Sequence, residues 1–207
     1  MIDAAVVSVF FSASVLLALS PGPDNLFVIA ESARNGWRAG FLVTLGLCSG
    51  LVFHTLAVAF GLAALIRESA MLFFLLKVAG AGYLLLLAWK AFSSGDAPHS
   101  VPIGVLSPVK LYRRGIVMNL SNPKVSLFFL AFLPQFADPR RGPLVPQFLL
   151  LGLLFIVAAF GAFTLFSLVA GHAGSLFWQS PRAQRIINRM SALVFLGLAL
   201  KLLISVP

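Results

Sequence analysis

The chain has 207 residues, of which 60% are hydrophobic and 10% charged, with a mean hydropathy of +1.01 and a formal net charge of +9. So little polar surface cannot coat a water-soluble globule, so the composition excludes one and defines an integral membrane protein. Nor does the positive charge indicate a nucleic-acid partner, because Lys and Arg punctuate apolar runs instead of forming a stripe with interleaved aromatics.

A bilayer's hydrocarbon core takes about 20 apolar residues per helix. Runs of that order lie near 4 to 20, 40 to 66, 70 to 89, 115 to 136, 147 to 170 and 190 to 206, which predicts six spans and an all-α membrane protein. The first run lacks a basic n-region, carries Asp3 and leads into Pro21-Gly22-Pro23 rather than a small-residue cleavage site. It is therefore expected to be retained as a span and not removed as a secretory signal.

That run ends in the polar knot Ser20-Pro21-Gly22-Pro23-Asp24-Asn25. Pro21 and Pro23 remove two backbone donors and bias Ser20 and Gly22 away from helical geometry, so carbonyls of the preceding turn lose their partners. At membrane depth such backbone persists only against neighbouring protein or a water-filled cavity. Asp24 or Asn25 is then placed to cap a short helix that restarts towards Arg34. Glu31 is expected near the inner mouth, paired locally with Arg34.

In the second span Gly46 and Gly50 make a small-xxx-small face suited to close helix packing. His54 lies mid-span, where an ionisable group with a near-neutral reference pKa is a candidate for proton coupling, against the plainer reading of a neutral histidine bonded to a neighbouring helix. Cys48, the one cysteine, gives neither a disulfide nor a thiolate metal cluster and reads as a packing residue.

Residues 93 to 114 carry Ser93, Ser94, Gly95, Asp96, Pro98, Pro102 and Pro108, which break any regular period. This stretch is read as a cytoplasmic linker or interfacial segment between a first three-helix unit, 1–92, and a second, 115–207. The second knot, Ser121-Asn122-Pro123-Lys124, follows: Asn122 is a good N-cap and Pro123 suits the first helical position. The unpaired N–H groups of that helix start favour an anion, and Lys124 adds a full positive charge beside them. Snorkelling of Lys124 to the surface is the alternative.

Pro23-Asp24 and Pro123-Lys124 stand 100 positions apart, and the same offset superimposes Ala59-Phe60-Gly61 on Ala159-Phe160-Gly161. Duplicated broken helices in corresponding places predict a transporter site at the repeat interface, with helices 1 and 4 broken. The offset sets Asp24 opposite Lys124, and a zwitterion carries the complementary charges. The predicted substrate-binding set is Asp24, Asn25, Asn122 and Lys124; Pro21, Gly22, Pro23 and Pro123 break the helices; Asp24 and His54 are the candidate proton carriers.

Alternating connections put Arg34, Arg38, Lys90, Lys110, Arg113, Arg114, Arg182, Arg185 and Arg189 on one side, and Arg67, Arg140, Arg141 and Lys201 on the other. The positive-inside rule makes the first set cytoplasmic and predicts both termini outside. Three helices per repeat then make the halves inverted, which suits alternating access.

The segment Pro21-Gly22-Pro23-Asp24-Asn25 is followed by Gly36, Arg38, Ala39 and Gly40, then by Gly46, Gly50, His54 and Thr55. Gly80-Ala81-Gly82-Tyr83-Leu84 comes next, and Asn122-Pro123-Lys124 leads to Phe132-Leu133-Pro134-Gln135-Phe136. In order and spacing this pattern resembles the LysE/RhtB family of bacterial amino-acid exporters across essentially the whole chain, and is more similar to its homoserine/threonine-resistance branch than to its basic-amino-acid branch. The resemblance implies a multi-pass inner-membrane carrier that expels amino acids or their derivatives, driven by the proton motive force and using no cofactor. The family pattern often has an amide where this chain has Asp24, so the carboxylate is not required throughout. Homo-oligomerisation through the glycine faces stays open.

Two alternatives stay open, an exporter of divalent metals or other small solutes and, further off, a membrane-embedded enzyme. A membrane-embedded enzyme would need a nucleophile elbow or a His-Glu zinc motif, and the spans carry neither. A divalent-metal exporter would need clustered carboxylate, imidazole or thiolate ligands, whereas the knots offer Asp24 with a lysine that repels cations.

Overall fold

The computed structural model describes residues 2–20, 22–62, 70–93 and 107–173, together with residues 189, 192–193, 195–197, 199–200 and 203–204. Pro21, Arg67, Arg182, Arg185, Lys201, the linker residues 94–106 and most of the sixth predicted span lie outside the described residues. Those described form helices and short connections, with no strand among them.

Asp3 starts α1 (Ala4–Leu19): its carboxylate accepts from the N–H of Ala5 at 3.2 Å. The helix closes at Ser20, whose N–H bonds back to Leu16 O and Leu17 O. Pro23 then opens α2 (Pro23–Asn35) from an extended Gly22, the position where proline's missing donor costs nothing. Gly36, at φ +82°, ends α2 in the left-handed region open to glycine, and α3 (Trp37–Leu56) begins at the next residue, running on as a π-helical stretch, Ala57–Leu62.

After α4 (Ala70–Ser93) comes α5 (Pro108–Leu120), which starts earlier than the hydropathy run near 115 suggests because Pro108 supplies a helix start to a mixed apolar and basic segment. The second break follows, then α6 (Pro123–Leu127), continued by a π-helical Phe128–Phe132 and a 3-10 turn, Leu133–Phe136. A second 3-10 turn, Pro139–Arg141, leads to α7 (Leu144–Ala173).

Trp37–Gly61 and Leu144–His172 are each long and apolar enough to cross a bilayer. The pairs Ala4–Leu19 with Pro23–Asn35 and Pro108–Leu120 with Pro123–Phe136 meet the same test as bent spans, with bends of 56° and 48°, which makes up to four candidate spans among the described residues.

Packing fixes the directions. A Cβ on Gly46 would run into Tyr112 O and one on Gly115 would meet Val43 O at 2.5 Å, so α3 and α5 touch backbone to backbone; further along both, Gly50 lies against Asn119, so they run parallel. Gly152 lies against Thr55 and Gly171 against Trp37, so α7 runs antiparallel to α3. In consequence Arg34 and Arg38 gather with Lys110, Arg113 and Arg114 at one end, while Asp3, Asp138, Arg140 and Arg141 gather at the other. An ion pair from Arg141 to Asp3 (3.6 Å) ties that second end together.

The core is aromatic. Phe10, Phe128, Phe129, Phe132 and Phe148 are fully buried, and Cys48 packs among buried neighbours as its lone occurrence suggests.

Candidate functional site

The two helix starts meet inside the protein. Asp24 and Asn25 occupy the first turn of α2, Asn122 and Lys124 that of α6, and all four are buried, Asp24 at 2% and Lys124 at 7% exposure. Charges and amides at such depth need partners, since burying an unpaired polar group costs several kcal/mol, and the local fold supplies them from both knots.

Asn122 caps its helix, accepting from the N–H of Lys124 at 3.0 Å. Gly22 is the N-cap of α2 with no side-chain bond of its own, which leaves Asn25 for another duty: its amide donates to Ala18 O at 2.8 Å, replacing a donor that the prolines withhold from the end of α1. Lys124 reaches across from the other knot, its Nζ donating to Ser20 O at 2.7 Å. Gly22 leaves room for that ammonium, because a Cβ there would stand 3.3 Å from Lys124 Nζ. The ring of Phe195 lies 5.8 Å from the same nitrogen, a cation–π contact from the C-terminal segment.

Asp24 is held from a third element. Asn119, completely buried in the last turn of α5, donates its amide to Asp24 Oδ2 at 3.1 Å. His54 on α3 approaches from the other side, its Nε2 lying 3.3 Å from Asn119 O and its ring stacked 5.5 Å from Phe129. Bonded to Ser20 O and lying beside Gly22, the Lys124 ammonium stands at the same knot as Asp24. The geometry thus joins Asp24, Asn25, Asn122, Lys124, His54, Gly22, Pro23 and Pro123 in one neighbourhood; Pro21 lies outside the described residues.

Two residues of this neighbourhood fall outside the substrate set read from the sequence. Asn119 was visible as an amide within an apolar run three residues ahead of a break, but only the α3–α5 crossing points it at Asp24. Ser20 was visible in the first knot, yet its backbone carbonyl, not its side chain, engages Lys124. Three side-chain atoms here are buried without a hydrogen-bond partner: Ser20 Oγ, Asp24 Oδ1 and Asn119 Oδ1.

Aromatic rings flank the neighbourhood. One turn further along α2, Phe27 is buried beneath the guanidinium of Arg114 at 4.6 Å, and a turn beyond that Glu31 is buried with its Oε2 accepting from Asn35. Towards the opposite end Phe10, Phe128, Phe132, Phe136 and Phe155 stack at centroid distances from 4.9 to 6.0 Å. Beyond them opens a cavity of about 360 Å³ whose wall includes Val6, Phe136, Asp138 and Arg141. Gln147 shapes its rim, accepting from Asp138 N–H and donating to Asp138 O and Gly142 O. Gln135 donates its amide back to Ala131 O.

A helical membrane protein with two proline-started breaks around buried opposite charges is built as a translocator, not as an enzyme. The sequence comparison agrees: residues 15–206 match the family described as LysE type translocator, and the chain belongs to that family. It is 32% identical over 187 residues to the homoserine/homoserine lactone efflux protein of Salmonella typhimurium, covering 88% of each chain. An uncharacterized membrane protein of Vibrio cholerae is 31% identical over 194 residues, covering 89% of each. The leucine efflux protein of Salmonella typhimurium is 27% identical over 196 residues, covering 91% of this chain and 90% of that one. No solved structure matches the chain.

Proposed function

We propose that the chain is a secondary transporter that exports amino acids or amino-acid derivatives from the cytoplasm by proton antiport across the bacterial inner membrane. The observation that carries this reading is the convergence of Asp24 and Lys124, from helix starts 100 positions apart in the sequence, on one buried neighbourhood with unpartnered polar atoms. Homologues named for homoserine, homoserine lactone and leucine efflux support the substrate class.

In this reading the fold has six spans in two inverted three-helix repeats, 1–92 and 115–207, joined through 93–114. Both termini lie outside, and the end that gathers Arg34, Arg38, Lys110, Arg113 and Arg114 faces the cytoplasm. Substrate enters from that end past Phe27 and Arg114. Its carboxylate is drawn to the Asn122-Pro123-Lys124 helix start and its ammonium to Asp24 and Asn25. Rocking of one repeat against the other opens the phenylalanine stack to the outer cavity, and a proton returning on Asp24 or His54 resets the carrier. One charge crossing about 100 mV is worth about 2.3 kcal/mol, enough for a roughly fiftyfold gradient.

The test is efflux from cells loaded with homoserine-containing dipeptides. The chain should raise the rate of homoserine release, and Asp24→Ala and Lys124→Ala should each abolish that gain while leaving membrane insertion intact. Selective metal resistance with unchanged amino-acid efflux would overturn the reading.

A further inference from the structure

We infer that the group the site recognises is the primary ammonium of its substrate, received by Asp24 Oδ1, Asn119 Oδ1 and Ser20 Oγ, and that a free carboxylate is dispensable. This rests on the exporter reading and specifies it: Asn119 becomes a substrate-contacting residue, and the substrate class is primary α-amines.

The argument is an inventory of donors and acceptors. Among the described residues four side-chain atoms are buried without a partner, and three of them belong to the meeting point of the two helix breaks. Asp24 Oδ1 and Asn119 Oδ1 only accept, and Ser20 Oγ accepts as readily as it donates. Two of the amide donors nearby are already used, Asn119 Nδ2 on Asp24 Oδ2 and Asn25 Nδ2 on Ala18 O. The site therefore has a surplus of acceptors around one carboxylate. What completes it must bring N–H or O–H groups; a primary ammonium brings three donors for the three atoms, and a water brings two.

Gly50 adds a second, independent mark. A Cβ there would stand 2.6 Å from Asn119 Oδ1, so the glycine lets α3 pack directly on the Asn119 side chain and fixes the amide that faces Asp24. The anion-binding half of the site is less open. Lys124 Nζ is bonded to Ser20 O and packed under Phe195, so a substrate carboxylate would have to compete for it. Recognition accordingly falls on the ammonium.

The experiment is counterflow of radiolabelled homoserine in proteoliposomes holding the purified full chain, with four unlabelled competitors. Homoserine itself and homoserine lactone, which keeps the ammonium and lacks the carboxylate, should compete within about threefold of one another. N,N,N-trimethylhomoserine and 2,4-dihydroxybutyrate should be at least about tenfold weaker, because a site built around N–H groups rejects analogues that lack them. Asn119→Leu and Gly50→Ala should each raise the half-saturation concentration for homoserine and its lactone by the same factor, about tenfold or more. If either variant fails to insert, the competitor order on the wild-type chain decides. Dihydroxybutyrate competing as well as homoserine, or unchanged half-saturation in Asn119→Leu, would overturn the assignment while leaving the exporter reading intact. Absence of any homoserine counterflow in the wild type would remove both.

Discussion

Lys124 and Asp24 illustrate what single residues contribute. Both are buried, Lys124 held on Ser20 O and Asp24 by Asn119, in one neighbourhood at membrane depth, where a buried charge left alone costs about 3 to 5 kcal/mol. Lys124→Met should lower thermal stability in detergent by about 3 kcal/mol, and Asp24→Asn combined with Lys124→Met should recover more than half of that without restoring export. A double variant no more stable than the single would show that the two charges do not support one another. At this scale the sequence was most readable where a rule is local. Asn122 and Pro123 announce a capped helix start by themselves, and the cap is present at 3.0 Å. Asn25 was harder, because its partner, Ala18 O, became available only through the loss of donors across the break.

Among the described elements, the stretch from Phe128 to Phe136 is irregular, passing from π-helical to 3-10 geometry over nine residues whose rings lie between the buried charges and the cavity beside Asp138 and Arg141. π-helical turns occur preferentially at functional places in helices, and this one follows directly on the helix start that carries Lys124. Phe132→Ala, in a chain with Cys48→Ala and Ser20→Cys, should speed modification of Cys at position 20 by a membrane-impermeant thiol reagent added outside, by roughly tenfold, with a stability cost of about 3 to 5 kcal/mol. Equal labelling rates with and without Phe132 would place the barrier elsewhere.

The crossing of α3 on α5 is the rigid counterpart. Gly46→Leu forces a side chain into Tyr112 O and should cost about 3 kcal/mol or abolish folding, whereas Gly82→Leu, where nothing stands within 4 Å of the added Cβ, should be tolerated. The Gly46 and Gly50 face was readable from spacing alone. What spacing did not give was the start of α5 at Pro108, since an amphipathic, basic helix lacks the apolar run by which spans are recognised.

For the whole molecule, composition was decisive and periodicity was not. The apolar content defined a membrane protein at once, and the two prolines that open α2 and α6 marked both bends. The bends of 56° and 48°, by contrast, follow from packing against α3 and α7, which no single segment encodes. Burial of the site was also beyond the sequence: Phe27 and Phe128 stand close to the knots in the chain, but only packing lays Arg114 over Phe27 and Phe10 against Phe128.

Orientation belongs to this scale. Alkaline phosphatase fused after residue 207 should be active, and a fluorescent protein at the same position should stay dark, as expected for a C-terminus outside. The opposite pair of results would invert the proposed topology. The central claim, that two helix breaks together hold one small amine, is tested most directly by equilibrium binding of radiolabelled homoserine to the purified chain in lipid nanodiscs. Saturable binding should be seen in the wild type and lost in both Asp24→Asn and Lys124→Met; binding that survives in either folded variant would contradict a site shared between the two breaks.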